Sequence, residues 1–344
     1  MKPLIINSNA FHTLIVHPTF QANEPQYNGS YSGTLGEFTV FDNVSLAKGS
    51  PIIDLFRKRN ILQRRDASCK TNWKQIAKGS TRKMTIDELY GAVEDCQQEF
   101  YQGCLKDFRN QDNKFRDFVL QFFKQAVYDD ISSNVYFGNV GRTADPNGNF
   151  SWNIFDGIFT KYAEYIIQDN ELSPKSMEIV TSDTTNGISP VEAFKTLSDM
   201  YKQQTSVLRG QLPTDKAYYV DVAFAEAYVD YCISIGKEAG DISMMMNGVP
   251  VLKFKQIPIF VEPTWQPVLE ALNGDKPAYA AILTIRGNFG FGTNKNYGGG
   301  PNLNQGLRVW YSEDDEVWRY KSHLALGTDI ISPQNSVVAL TEIL

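Results

Sequence analysis

The spacing of hydrophobic positions changes several times along the chain, and each change predicts an element. The clearest run is helical. Phe100, Cys104 and Phe108 recur every four residues, and Phe115, Phe118/Val119, Phe122/Phe123, Ala126/Val127, Ile131 and Val135 continue at three to four. This predicts a helix over residues 98–137, roughly 60 Å long if unbroken, with the polar stretch 109–114 as the place where it bends or stops. An aromatic stripe at this spacing reads as core packing, not as a cofactor box. Near the end of the chain the period drops to two. Leu307, Val309 and Tyr311 alternate before a polar turn, Ser312-Glu313-Asp314-Asp315, and Trp318, Tyr320 and Leu324 alternate after it. Arg319, Lys321 and His323 take the opposite face, the pattern of a half-buried antiparallel hairpin over 306–326. Neither the helix nor the hairpin can bury its apolar face locally, so the two are expected to pack in one unit.

Between them the pattern is mixed. Ser189, Pro190 and Glu192 predict a helix start, with the helix running to Leu208. Lys216–Val222 reads as a strand, followed by a helix through Ala225, Tyr228, Val229 and Cys232. Val249–Phe254 and Ile257–Val261 read as short strands, and Thr264-Trp265 opens a helix through Val268, Leu269 and Leu272. Ala281–Ile285 is a further strand, Gly287–Thr293 a glycine-rich loop, and the segment from Gly327 a terminal strand. Residues 1–37 have no helical period and read as an extended arm. The stretch 38–95 reads as a hairpin-like excursion, too long for a compact monomer without a partner surface.

Composition changes this picture little; charge distribution changes it more. At 344 residues and 42% hydrophobic content the chain supports one large or two ordinary domains. No window approaches 18 consecutive apolar residues, and the short run after Met1 does not make a signal peptide. Cys69, Cys96, Cys104 and Cys232 are scattered and only His12, His17 and His323 are present, which offers no metal cage and fits a reducing cytoplasm. Net charge is −6, yet Leu55–Lys83 holds ten bases against Asp66 alone. The next sixteen residues, Met84–Glu99, hold five acids (Asp87, Glu88, Glu94, Asp95 and Glu99) and no base. Nucleic-acid contact, a solvated loop face and docking on a neighbouring copy all fit the basic run. The acidic remainder of the chain makes docking the natural reading, with Arg57, Lys58, Arg59, Arg64 and Arg65 facing acids of the next copy.

Motifs for chemistry are weak. Gly287–Gly292 and Gly298–Gly300 contain no GxxxxGK[ST] pattern, and no helix follows as a dinucleotide fingerprint needs. The acid pairs Glu94/Asp95 and Asp314/Asp315 read as surface or turn residues, and no histidine sits near a nucleophile elbow. No catalytic residue, cofactor site or metal site is expected.

The order of these elements resembles the major capsid proteins of tailed double-stranded DNA phages. Asp215–Val220, the helix after it, Asn247–Leu252 and Ile257–Trp265 look like their apical domain. The aromatic helix resembles their spine helix, the basic excursion their extended loop, and the Gly/Asn/Tyr-rich start their N-terminal arm. Cys96 and Phe100 after the basic loop are similar to coat proteins of the crAss-like phages. No long charged helical segment precedes the arm, so a built-in scaffolding domain is expected to be absent from this chain or to have been removed before its first residue. The resemblance implies an α+β capsid fold divided into an arm (1–37), an extended loop (38–95), a peripheral domain with the spine helix (96–149), an apical α/β domain (150–290) and a loop with return strands of the peripheral domain (291–344). It further implies hexamers and pentamers in an icosahedral shell around packaged DNA, with scaffolding and portal partners, weak sequence-independent DNA contact and no membrane. The expected location is the virion, after assembly in a bacterial cytoplasm. An encapsulin-type compartment shares this fold, and an enzyme built on residues 150–290 is the outlying alternative.

Overall fold

The computed structural model describes residues 4–7, 38–41, 44–57, 77–96, 112–146, 148–168, 173–180, 187–237, 242–246, 249–274, 276–294, 305–312, 314–315 and 317–341. Two sheets and a separate hairpin organise the chain. The first sheet runs β1 (Leu4–Asn7), β13 (Gln305–Ser312), β14 (Val317–Ile330), β12 (Phe289–Thr293) and β2 (Phe38–Phe41), with β5 (Asp87–Cys96) on the other edge of β14. The second runs β6 (Lys175–Glu178), β15 (Ser336–Leu340), β11 (Ala280–Ile285), β7 (Lys216–Val220), β10 (Ile257–Val261), β9 (Val249–Phe254) and β8 (Ser243–Met246). Strands β3 (Ser50–Arg57) and β4 (Ala77–Met84) pair with each other and, among the described residues, with no other strand.

The central strands of the second sheet are mainly apolar, Lys216 and Thr284 excepted, because both faces are covered. On β7, Tyr218 and Val220 face one core with α3 (Pro190–Gln203) and α5 (Val222–Ser234). Ala217 and Tyr219 face the other core, shared with α1 (Asp112–Phe137), α2 (Ile158–Gln168) and α6 (Trp265–Leu272). In that second core Trp265 is fully buried among Tyr136, Phe137 and Phe159, with ring centroids 4.9, 5.8 and 5.1 Å away.

The helix start at Ser189 forms as the sequence predicts. Its side chain accepts from Glu192 N, and Glu192 Oε2 accepts from Ser189 N at 2.8 Å, a reciprocal cap. The helix ends at Gln203 instead of Leu208, because Thr205 leaves helical geometry and caps a new single turn, α4 (Ser206–Arg209). The expected helix and hairpin do meet. Helix α1 is described from Asp112; residues 98–111 of the predicted helix lie outside the described residues. From Ile131 to Phe137 every residue of α1 is buried, while β13 and β14 pair in register Tyr311↔Trp318 to Leu307↔Ser322.

Three segments differ from expectation. Residues 287–293 do not form a loop beyond Asn288: Phe289–Thr293 is the buried strand β12, in parallel register with β2 and antiparallel with β14. The glycines carry no side-chain period to reveal it, but they are needed. A Cβ on Gly292 would lie 2.6 Å from Met84 Sδ, and one on Gly327 would lie 2.3 Å from the Thr85 carbonyl oxygen. The chain leaving β4 therefore crosses β12 and β14 in close contact. The ends of the 38–95 stretch do not project either, since β2 and β5 both join the first sheet and, among the described residues, β3–β4 alone stands apart. Finally, β15 leaves the hairpin sheet and pairs with β11 and β6, its Val337 and Val338 buried on opposite faces. Of the expected arm, Leu4–Asn7 adds to β13 of the same chain and the remainder to residue 37 lies outside the described residues.

Candidate intersubunit surface

Where the chain crosses between the sheets it is riveted by polar groups. Asn288 lies between β11 and β12; its Nδ2 donates to Thr284 Oγ1 at 2.8 Å, Ser332 O at 3.1 Å and Ser336 Oγ at 3.1 Å. Its Oδ1 accepts from Ser332 N at 2.7 Å, and the Tyr162 hydroxyl donates to Ser336 Oγ at 2.7 Å. One buried amide thus binds the β11–β12 crossover to the β14–β15 crossover, and burial makes each of these bonds costly to lose.

The β3–β4 hairpin leaves this body beside the first sheet. Ile52 and Met84 enter a small apolar cluster with Val44, Ile86 and Ala325 at its base. Arg82 does more. Its Nη2 donates to the carbonyls of Ile330 at 2.8 Å and Ile331 at 2.6 Å, and Nη1 donates to the Tyr165 hydroxyl and faces Asp329 Oδ1 at 3.6 Å. Tyr165 in turn donates to Asp329 Oδ1 at 2.8 Å, and its ring lies 5.0 Å from the guanidinium carbon. Burial raises the Asp329 carboxyl above its usual range, opposed by the Tyr165 hydrogen bond and then by Arg82. Sequence reasoning counted Arg82 as one more base of the loop. An acid inside the apolar run before Ile330 was the only hint of its partner.

Strand β5 carries the predicted acids on a sheet edge. Register with β14 places Glu88, Tyr90 and Glu94 opposite Ala325, His323 and Arg319, on the outer face. Asp87 stands opposite Leu326, on the face toward α1, and the backbone of Asp95 pairs with Trp318. Asp87, Glu88 and Glu94 are exposed, and Tyr90 is 75% exposed. Glu94 already has a partner within the chain, Arg319 Nε at 2.9 Å, and the same arginine reaches Asp315 at 2.8 Å. Behind the strand a groove of about 290 Å³ opens between β5, β14 and α1, lined by Leu89, Tyr90, Val127, Asp130, Ile131 and Leu324 among others. Desolvation there raises the Asp130 carboxyl, with the Ser151 hydroxyl opposing it. Among the predicted bases, Arg57 closes β3, while Lys58, Arg59, Arg64 and Arg65, with the acid Glu99, lie outside the described residues. The structure thus brings Asp87, Glu88, Glu94 and Asp95 together on one edge strand.

Among the described residues no three His, Cys, Asp or Glu side chains are placed to hold a metal, and no helix is long and apolar enough to cross a membrane. No protein-family model matches the sequence, and no curated protein matches it in a sequence search. Solved structures do match in fold. A chain from the satellite phage P4 procapsid with its size-determination (Sid) protein superposes with TM-score 0.53 at 10% identity, covering 88% of this chain and 92% of that one. A chain from the capsid of cyanophage P-SCSP1u gives 0.52 at 11% identity over 94% and 92%. A chain from Gordonia phage Cozz gives 0.50 at 10% identity over 88% and 84%. Identity this low carries no residue-level role across, but the agreement extends over nearly the whole chain: it has the α+β fold of phage capsid chains.

Proposed function

We propose that the chain is a major capsid protein that self-assembles into an icosahedral shell enclosing packaged double-stranded DNA. The observation that carries this is the β3–β4 hairpin. A two-stranded ribbon is marginal in water by itself, and this one pairs with no other strand among the described residues. It also leads into the basic run, while the same body presents acids along the β5 edge. Such a subunit is complete only beside a copy of itself. Arg57, Lys58, Arg59, Arg64 and Arg65 of one copy dock on Asp87, Glu88, Glu94, Asp95 and Glu99 of the next, along the β5 edge and its groove. Each exposed pair is worth only about 0–1 kcal/mol, so many weak contacts close the shell together.

In this reading residues 1–37 are the arm and the sheet containing β13–β14 is the peripheral domain. The sheet containing β7 is the apical domain and β3–β4 is the extended loop. Hexamers and pentamers, scaffolding and portal proteins, and a weak, sequence-independent contact with DNA complete the partner set. The protein requires no catalytic step, its site is the virion, and it assembles in the host bacterial cytoplasm. The acidic balance outside the basic run suits a DNA container, since a basic lining would hold DNA through released counterions. Expression of the chain with its scaffold, followed by microscopy and analysis of what co-purifies, tests this. Closed shells with DNA support the reading, closed shells filled with a cargo protein indicate an encapsulin-type compartment, and soluble monomers under all conditions reject both.

A further inference from the structure

Among the described residues no strand ladder ties the β3–β4 hairpin to either sheet. Its described attachments are the small apolar cluster around Ile52 and Met84 and the Arg82 clamp. The clamp joins four parts of the molecule through one side chain: β4 itself, Tyr165 on α2, Asp329 on β14 and the Ile330–Ile331 carbonyls where the chain leaves for the second sheet. Only 13% of the Arg82 side chain and 7% of the Asp329 side chain remain exposed.

We propose that Arg82 is a positioning residue that fixes the direction in which the hairpin leaves the body. It sits two residues before the end of β4, at the hairpin's root, so a small rotation there moves the far end a long way. A planar guanidinium satisfies two carbonyls on one side and a hydroxyl and a carboxylate on the other; a lysine ammonium has no such fork. The clamp adds direction more than stability. Nε is buried with no hydrogen-bond partner, so the cost of desolvating the cation is not fully offset. Loss of the clamp should therefore loosen the hairpin far more than the body.

Hydrogen exchange on the free full-length subunit separates this from an ordinary core ion pair. In Arg82→Met, exchange over residues 50–57 and 77–84 should rise roughly tenfold, while α3 and α5 keep their wild-type protection. Arg82→Lys, which keeps the charge but cannot hold both carbonyls, should fall between. Tyr165→Phe removes one hydroxyl and keeps the ring, and should shift the hairpin in the same direction by less; it serves if Arg82→Met does not fold. Unchanged hairpin exchange, or an equal rise across the second sheet, would overturn the proposal. Its consequence for assembly rests on the capsid reading: Arg82→Met should yield misformed or open shells where the wild type yields closed ones. Failure of the wild type to form shells would refute that reading and leave the exchange result standing.

Discussion

The rings of Phe123 and Tyr320 stack with centroids 5.8 Å apart and 20° between their planes. Phe123 belongs to helix α1 and Tyr320 to strand β14, so this contact joins the aromatic stripe to the hairpin that the hydrophobic period set apart in sequence. Phe123→Ala should cost about 3–5 kcal/mol through lost burial and the cavity left behind, read as a fall in denaturation midpoint. Paired with Tyr320→Ala it should show non-additive loss, because the two side chains share one contact. Strictly additive losses would mean that the helix and the strand pack independently.

Asp221 gives a pH dependence with a defined sign. Fully buried, it caps α5 by accepting from Phe224 N at 2.7 Å and also accepts from Ala280 N at 2.9 Å. Desolvation pushes its carboxyl up to about 7 from 3.8, against the opposing backbone hydrogen bonds. A folded-state value above the unfolded one stabilises the protein fully below the unfolded value, and that stabilisation is lost as pH rises through the folded value. Stability attributable to this residue should therefore fall between about pH 4 and pH 7, by a few kcal/mol. Denaturant titrations across that window should show the slope, and Asp221→Asn should flatten it. A slope unchanged in the variant would assign the effect elsewhere.

Gly292 tests the crossing beneath the hairpin root. With Met84 Sδ 2.6 Å from the position of an added Cβ, Gly292→Ala must displace Met84 or the strand, at about 1–3 kcal/mol. Met84→Ala should relieve part of that penalty in the double variant. A Gly292→Ala protein as stable as wild type would show that the crossing is loose.

Much of this architecture was legible in the sequence where side chains carry a period. The largely apolar runs of β7, β10 and β11, the Ser189 cap and the alternation of Trp318, Tyr320 and Leu324 state their own environment. What escaped is set by pairing over long sequence distance. Asp87–Cys96 carries acids on both faces and reads as the end of a long excursion until β14 is laid beside it. Phe289–Thr293 lacks a readable period because its glycines answer to Met84 and to the strands beside them. Arg82 looks like one base among ten; only the fold brings Tyr165 and Asp329 to it. Of the proposed surface, the acids were legible as a run, whereas their division between the two faces of β5, and the claim of Arg319 on Glu94, depend on register.

Charge docking makes a salt-dependent prediction. Reversal of Arg57, Arg59, Arg64 and Arg65 to Glu should abolish assembly at low salt, while the wild type should assemble progressively less as ionic strength rises beyond a Debye length of about 8 Å near 0.15 M. Light scattering against salt concentration reads both. Assembly of the reversed variant equal to wild type at every salt concentration would remove the basic loop from the interface.

The central claim is that the subunit builds a closed shell, and electron microscopy of the purified protein, expressed with its scaffold, tests it most directly. The account predicts closed particles of uniform diameter with icosahedral symmetry, in which each β3–β4 hairpin lies against the β5 edge of a neighbouring copy. Monomers or small open oligomers at every protein and salt concentration would contradict it.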